Sequence, residues 1–192
     1  MEKIITPNTK YGMFIPGLKI DGKDAPYGVV NDRSVRAGAG LMFALGSIGF
    51  FHALYTGDFL ILQILVLTFL VDFTLKVFKG PHLSPFSLIG DLIVKKQSPE
   101  YVGAIQKRFA WSIGFIIALI MTFVVVIGNI TGIIPLAFCL ICLLFMWFES
   151  SFGICIGCKM YWGMISLGLV KEPEVAPACP GGACPINKGK SS

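Results

Sequence analysis

The sequence predicts an all-α membrane protein: four transmembrane helices form two helical hairpins, with a short interfacial helix in the central loop. Two observations predict this class. The 192-residue chain is 55% hydrophobic and only 14% charged, whereas soluble domains carry about 25% charged residues. The hydrophobic residues also form four stretches close to the roughly 20 residues that a helix needs to cross a bilayer. These stretches lack the polar face of a core helix in a soluble protein.

The four predicted spans come in pairs separated by short turns. The first hairpin joins residues 37–55 and 59–78, and the second joins residues 109–127 and 133–148, with the last span extending to residue 152. The central loop, residues 79–107, begins with Pro81 and Pro85, which break helical structure. Residues 86–94 are then predicted to form a short helix lying in the membrane interface, with lysines 95 and 96 toward the headgroups.

The distribution of lysine and arginine predicts the orientation of these spans. Basic residues occur before the first span, in the central loop and after the fourth span, whereas the two hairpin turns carry none. The positive-inside rule therefore predicts a multi-pass protein of the inner, cytoplasmic membrane with both termini in the cytoplasm. The predicted parts are a cytoplasmic N-terminal segment (1–32), a four-helix transmembrane domain (33–165) and a flexible, cysteine-containing cytoplasmic tail (166–192). The first residues have no apolar core of signal-peptide length, so we expect the first span to remain in the mature protein.

Several function classes find no support in the sequence. The basic residues form no dense run, which argues against binding to nucleic acid. A nucleotide-binding glycine loop, a histidine-rich metal motif and a recognisable hydrolytic motif are all missing from the sequence. The sequence thus predicts no cofactor and leaves open whether the protein is an enzyme. The lipid bilayer is its expected environment, and the narrowness of a four-span bundle makes a homo-oligomer a further expectation for any transport role.

The candidate catalytic residues are Cys155 and Cys158, which form a Cys-x-x-Cys pair six residues after Glu149. Two thiols at this spacing form a disulfide, bind a metal or carry sulfur. Permanent structural disulfides are rare in the reducing cytoplasm. The pair is therefore predicted to be redox-active, metal-binding or sulfur-carrying, and packing is the alternative. Glu149 is placed to orient an arginine or to take a proton from a thiol.

Three further charged residues are predicted to lie at the depth of this pair. Arg36 and Arg108 begin the first and third spans, and Asp72 lies near the end of the second. They are candidate substrate-binding residues, because arginines hold a sulfur oxyanion or favour a thiolate. The alternative is that they anchor helix ends, with Asp72 pairing with Lys76 one turn later. If the fourth helix continues, the Cys-x-x-Cys pair follows Glu149 by roughly two turns.

The other cysteines also come in pairs. Cys139 and Cys142 lie about one helical turn apart within the fourth span, where buried cysteine is usually a packing residue. Cys179 and Cys184 are accessory thiols of the tail. They are predicted either to exchange with the Cys-x-x-Cys pair through a mixed disulfide or to complete a four-cysteine metal site with it. No other metal site is predicted.

Two segments resemble a known family. The stretch Val-Asn-Asp-Arg-Ser-Val-Arg at residues 30–36, and Phe148-Glu149 followed by Gly153-x-Cys155-x-Gly157-Cys158-Lys159-x-Tyr161, are similar to the bacterial membrane family called domain of unknown function 4395. The similarity covers residues 28–165. It implies a small four-span membrane protein associated with thiol and sulfur chemistry, with a rhodanese- or thioredoxin-like partner, and it supplies no reaction. Cys179 and Cys184 lie outside it.

These observations support three functional hypotheses. The leading hypothesis is a membrane protein whose Cys155 and Cys158 work in thiol redox chemistry or in a persulfide relay. The second is a transporter, or an accessory subunit, for a small sulfur-containing anion held by Arg36 and Arg108. The third is a structural metal site formed by the four cysteines of the Cys-x-x-Cys pair and the tail.

Overall fold

In a computed structural model, the structure describes residues 11–20, 22–25 and 27–169. Helices dominate this part of the chain, and the strands are short. The elements in chain order are β1 (Lys19–Ile20), β2 (Lys23–Asp24), β3 (Val29–Asn31), α1 (Asp32–Thr56), α2 (Leu60–Phe78), a 3-10 turn (Pro81–Leu83), α3 (Pro85–Val94), β4 (Tyr101–Gly103), α4 (Ala104–Met121), its π-helical continuation (Thr122–Ile127), α5 (Ile133–Phe152) and α6 (Ile156–Ser166).

Among the described residues, four helices are long and apolar enough to cross a membrane, which confirms the four predicted spans. They are α1, α2, α4 with its π-helical continuation, and α5. Large apolar side chains cover their outer faces, and Ile48, Leu60 and Ile133 are each more than half exposed. Such a surface suits a lipid environment, because a soluble monomer rarely exposes a large continuous apolar patch.

Helix α1 is at the centre of the packing. It contacts α2, α3 and α5, while α2 packs against α4 and α4 packs against α6. The approach of α3 to α1 requires a small residue, because a Cβ atom added at Gly38 would lie 2.9 Å from the carbonyl oxygen of Phe86. A buried cluster between α1, α2, α5 and the π-helical segment, including Phe50, Leu62 and Leu136, forms the main apolar core.

Helix α3 corresponds to the short helix that the sequence predicts in the central loop. Ser84 caps its N-terminus by accepting a hydrogen bond from the backbone N–H of Ser87, and Pro85 occupies the first turn. Proline is favoured there because its missing N–H has no partner within the helix.

A two-stranded antiparallel sheet joins the beginnings of α1 and α4. Strands β3 and β4 pair Val29 with Gly103 and Asn31 with Tyr101, and a helix starts directly after each strand. The sequence analysis did not predict these strands. Their pairing places the first turns of α1 and α4 side by side.

The fourth span does not continue into the Cys-x-x-Cys pair, so the conditional prediction of a continuous helix is wrong. Helix α5 ends at Phe152, where Gly153 adopts the left-handed conformation with φ 66°. The N–H groups of Gly153 and Ile154 donate to the carbonyl oxygens of Glu149 and Phe148. This arrangement is a glycine C-cap, and it lets the chain turn before α6 begins.

Candidate thiol site

A buried lysine joins two carboxylates from different helices. Lys107 of α4 is 1% exposed, and its Nζ lies 2.8 Å from Oδ1 of Asp32 and 2.8 Å from Oε1 of Glu149. Asp32 is also 1% exposed, whereas Glu149 retains 19% exposure. A buried charge is stable only when it is paired, so these three side chains form one electrostatic unit, the Lys107 cluster.

The short sheet accounts for the first of these ion pairs. Asp32 is the first residue of α1 and follows β3, while Lys107 lies in the first turn of α4 and follows β4. Asn31 strengthens the junction, because its side-chain oxygen accepts hydrogen bonds from the backbone N–H groups of Arg33 and Glu100. The pairing of β3 with β4 thus holds Asp32 and Lys107 close to each other.

The Cys-x-x-Cys pair lies at the N-terminus of α6. Cys155 is the N-cap residue, and its sulfur accepts a hydrogen bond from the backbone N–H of Cys158 at 3.3 Å. Both thiols are buried, with 4% exposure for Cys155 and 1% for Cys158. A helix N-terminus carries partial positive charge, and both thiols interact electrostatically with Lys107. The pair therefore belongs to the same site as the Lys107 cluster.

Gly157 accounts for the position of the pair. A Cβ atom added there would lie 2.6 Å from the Cβ atom of Ala110 on α4. A side chain at this position would force α6 away from α4, and only glycine permits the observed approach. Gly157, inside the Cys-x-x-Cys motif, thus allows the close contact between α6 and α4 that keeps both thiols near Lys107.

The two thiols differ in their environment. A side-chain hydrogen bond with Cys155 raises the pKa of the Cys158 thiol, and burial and the negative charges of Cys155 and Glu149 raise it further. Lys107 has the opposite effect on this pKa but is outweighed. These surroundings disfavour the thiolate of Cys158, whereas the Cys155 sulfur occupies the N-cap position and accepts a backbone N–H at the start of α6.

Of the two predicted arginines, Arg36 lies beside the site and Arg108 makes other contacts. The guanidinium of Arg36 lies against Gly153, since a Cβ atom added there would be 3.1 Å from its Cζ and Nη1 atoms. Arg108 donates from Nε to the carbonyl oxygen of Val77 at 3.1 Å, and its Cζ lies 4.7 Å from the centre of the Tyr11 ring. The two arginines thus have different partners.

Asp72 belongs to a separate polar cluster. Its Oδ2 lies 2.6 Å from the Nζ atom of Lys76, the i,i+4 partner that the sequence suggests. Its Oδ1 accepts hydrogen bonds from the Ser84 hydroxyl and from the backbone N–H of Phe86. Both charges are buried. Asp72 therefore links the start of α3 to α2. The structure shows no contact between Asp72 and Cys155 or Cys158.

An apolar cavity of about 150 Å³ extends from the thiol site into the bundle. Residues from α2, α4, α5 and α6 form most of its wall, and Glu149 and Cys155 lie at one end. Cys139 and Cys142 also line it, and both are free thiols. The cavity thus connects Cys139 and Cys142 with Cys155 of the Cys-x-x-Cys pair.

The tail cysteines, Cys179 and Cys184, lie outside the described residues. Within residues 11–20, 22–25 and 27–169, no group of three or more histidine, cysteine, aspartate or glutamate side chains is arranged to hold a metal ion. The tail's predicted part in thiol exchange or metal binding stays a prediction.

A family model described as domain of unknown function (DUF4395) matches residues 30–165. The chain belongs to the DUF4395 family. The match covers more than half of the chain and includes both the Lys107 cluster and the Cys-x-x-Cys pair. It confirms the resemblance that the sequence indicates. No curated protein and no solved structure matches this DUF4395 protein at a significant level.

Sequence reasoning did not single out Lys107 and Asp32 as site residues. Lys107 counted only as one of the basic residues of the central loop, and Asp32 only as part of a shared motif. A signal was present, because a charged residue follows a short β-type segment at each of the two helix starts. Recognising it requires the pairing of two strands about 70 positions apart along the chain.

Proposed function

We propose that this DUF4395 protein is an integral membrane thiol oxidoreductase in which Cys155 and Cys158 cycle between the dithiol and the disulfide. The observation that carries the proposal is the placement of a Cys-x-x-Cys pair at a helix N-terminus beside a buried lysine. Positive charge of this kind activates one thiol of such a pair. The Lys107 cluster would supply this positive charge, because short backbone elements hold Lys107 and Asp32 in place.

The two thiols take different parts in the proposed reaction. Cys155 attacks the sulfur of a disulfide substrate, and a mixed disulfide forms while one substrate thiol leaves. Cys158 then attacks the Cys155 sulfur, which releases the second substrate thiol and closes the Cys155–Cys158 disulfide. The raised pKa of Cys158 disfavours its thiolate, and we assign Glu149 the role of receiving its proton in this second step.

The proposed setting follows the distribution of basic residues in the sequence. We place the protein in the inner membrane as two helical hairpins, with α3 at the interface and both termini in the cytoplasm. A rhodanese- or thioredoxin-like protein is the proposed soluble partner. Cys179 and Cys184 would exchange with that partner and pass reducing equivalents to the Cys-x-x-Cys pair.

The side-chain contacts lend less support to the two alternative functions. An anion transporter that uses a pair of arginines needs both guanidinium groups at one place, and Arg36 and Arg108 have different partners. A four-cysteine metal site depends on the tail. Thiol exchange needs only the two cysteines that the structure already brings together.

Reaction with dithiodipyridine tests the division of roles in a variant that retains only Cys155 and Cys158. We expect this variant to release two pyridinethiones per chain, because Cys158 displaces the second one. Cys158→Ser should release a single pyridinethione and keep the adduct on Cys155, and Cys155→Ser should react much more slowly. Equal rates for the two single variants would contradict the proposal. A gain of one sulfur atom on Cys155 after treatment with a persulfide donor would instead favour the sulfur relay.

A further inference from the structure

We propose that the apolar cavity is a binding site for a membrane quinone, which accepts two electrons from Cys155 and Cys158. This inference rests on the thiol function proposed above and adds a second oxidant for the dithiol, one that is supplied by the membrane. Three features of the structure carry it: the shape and lining of the cavity, its contact with a reactive thiol, and the burial of that thiol from water.

The cavity has the size and lining that a ring on an apolar tail requires. Its volume of about 150 Å³ is that of an apolar protein cavity known to bind a single six-membered ring. It follows α5 from Cys139 to Glu149, ten residues or about 15 Å of helix. Its apolar wall includes Leu62, Phe69, Trp111, Ile117 and Leu143.

The cavity also reaches the surface that faces lipid. Phe145 of α5 and Met160 of α6 both line it, and they are 38% and 50% exposed. Helices α4 and α5 are consecutive in the chain, yet in the described residues they are not among the closely packed helix pairs. A ligand could therefore enter from the bilayer between these helices while its tail remains in lipid.

Burial of the thiols favours an oxidant from the membrane. Cys155 and Cys158 are 4% and 1% exposed, so in this conformation a folded soluble protein has no direct access to either sulfur, and the proposed soluble partner would exchange through the tail thiols instead. A ligand in the cavity touches Cys155 directly, since Cys155 forms part of the wall. The oxidant that fits must dissolve in lipid, carry a compact ring and accept two electrons, and quinones combine these properties.

The proposed reaction balances in atoms and electrons. Two S–H bonds break and one S–S bond forms between Cys155 and Cys158, so the two sulfurs together lose two electrons. Both electrons pass to the quinone, and the two protons end on its two oxygens as two O–H bonds. The products are the disulfide and the quinol.

The polar end of the cavity provides a path for these protons. Glu149 lines the cavity beside Cys155 and keeps 19% exposure. Lys107 holds its carboxylate through the 2.8 Å ion pair. Glu149 would carry protons from the thiols to a ring in the cavity, and Lys107 acts as the positioning residue for its carboxylate.

Anaerobic reaction with decylubiquinone tests the inference. The protein is reduced with dithiothreitol in lipid nanodiscs and desalted before the quinone is added. We expect about one quinol per chain, with a Cys155–Cys158 disulfide as the matching product, because a dithiol carries two electrons. Cys142→Trp places a large side chain in the cavity and should slow quinol formation by about tenfold or more, as overpacking of a ligand volume does.

Ile141→Trp is the matched control, because Ile141 is the neighbouring residue of α5 and is 48% exposed. This variant should form quinol at the rate of the parent protein. If Cys142→Trp does not fold, Cys142→Phe makes the same test with a smaller side chain. Parent-like quinol formation in a folded Cys142 variant would overturn the inference.

The dithiodipyridine reaction separates this inference from the proposed function. A protein that exchanges thiols with dithiodipyridine but forms no quinol retains the thiol function and refutes the quinone site. A protein whose Cys155 and Cys158 fail in both reactions refutes the thiol function itself.

Discussion

Lys107 is the residue on which the charge balance of the site depends. Its ammonium group pairs with Asp32 and Glu149 from two other helices, and burial leaves neither the lysine nor Asp32 an alternative partner in water. A buried ion pair gives little net stability relative to apolar residues, but removal of one partner leaves an uncompensated charge.

Replacement of Lys107 by Met should therefore destabilise the protein by about 3–5 kcal/mol, as measured by thermal unfolding in detergent. Asp32→Asn in the same chain removes one of the two stranded carboxylates and should restore part of this loss. Lys107→Arg, which keeps the charge, is the control. If Lys107→Met unfolds at the same temperature as the parent protein, the Lys107 cluster does not contribute to the stability of the fold.

The raised pKa of Cys158 yields a prediction about pH. The hydrogen bond to the Cys155 sulfur is its largest cause, so Cys155→Ala should lower the pKa of Cys158 toward the ordinary thiol value. Alkylation requires the thiolate. At a fixed pH below this pKa, the alkylation rate at Cys158 should rise by about threefold for each unit that its pKa falls, because the larger thiolate fraction outweighs the lower nucleophilicity of each thiolate.

Mass spectrometry of peptides after timed alkylation, over a series of pH values, gives this rate. The reference is Cys158 in the parent protein. A rate at Cys158 that stays the same or falls in Cys155→Ala would show that the hydrogen bond does not control the thiol.

At the scale of elements, the contact between α6 and α4 decides where the thiols lie. Gly157→Ala would place a Cβ atom 2.6 Å from that of Ala110. Overpacking of this kind costs about 1–3 kcal/mol, and the shift of α6 should also slow thiol exchange by moving Cys155 away from Lys107.

Gly163→Ala is a matched control on the same helix, because an added Cβ atom meets no other atom within 4 Å. It should leave thiol exchange unchanged and slightly favour the helix, since alanine has the higher helix propensity. Thermal unfolding and the dithiodipyridine rate measure both variants. Equal effects of the two substitutions would contradict the proposed role of the close contact.

The spans were predictable from the sequence because hydrophobicity and length are local properties. Residues 59–78 correspond closely to α2. Helix α1 contains the first predicted span and begins before it, since the charged residues Asp32 and Arg33 also belong to α1. The site itself depends on distant contacts: the strands that bring Lys107 to Asp32 are short, and Gly153 ends a helix that its apolar neighbours would have continued.

At the scale of the whole molecule, charged residues are concentrated at one end of the helical bundle. Lys107, Arg36 and Glu149 lie at starts or ends of helices that the chain direction places together, whereas the turn between the π-helical segment and α5 carries no basic residue. This division predicts an orientation in the membrane.

Single cysteines in a cysteine-free background test that orientation. Thr131→Cys, in the turn before α5, should react with a membrane-impermeant maleimide added to intact cells. Lys96→Cys, in the loop after α3, is equally exposed and should react only after the membrane is opened. The reverse pattern would place the thiol site on the outer face of the membrane.

The central claim is that Cys155 and Cys158 form a redox-active pair, and a redox titration of the protein in membranes tests it most directly. Membranes are equilibrated with mixtures of reduced and oxidised dithiothreitol, quenched in acid, alkylated and examined by peptide mass spectrometry. We predict one reversible two-electron transition to a Cys155–Cys158 disulfide, which persists in Cys139→Ser/Cys142→Ser. Thiols that remain fully reduced, or a disulfide that remains fully oxidised, across the whole series would contradict the account.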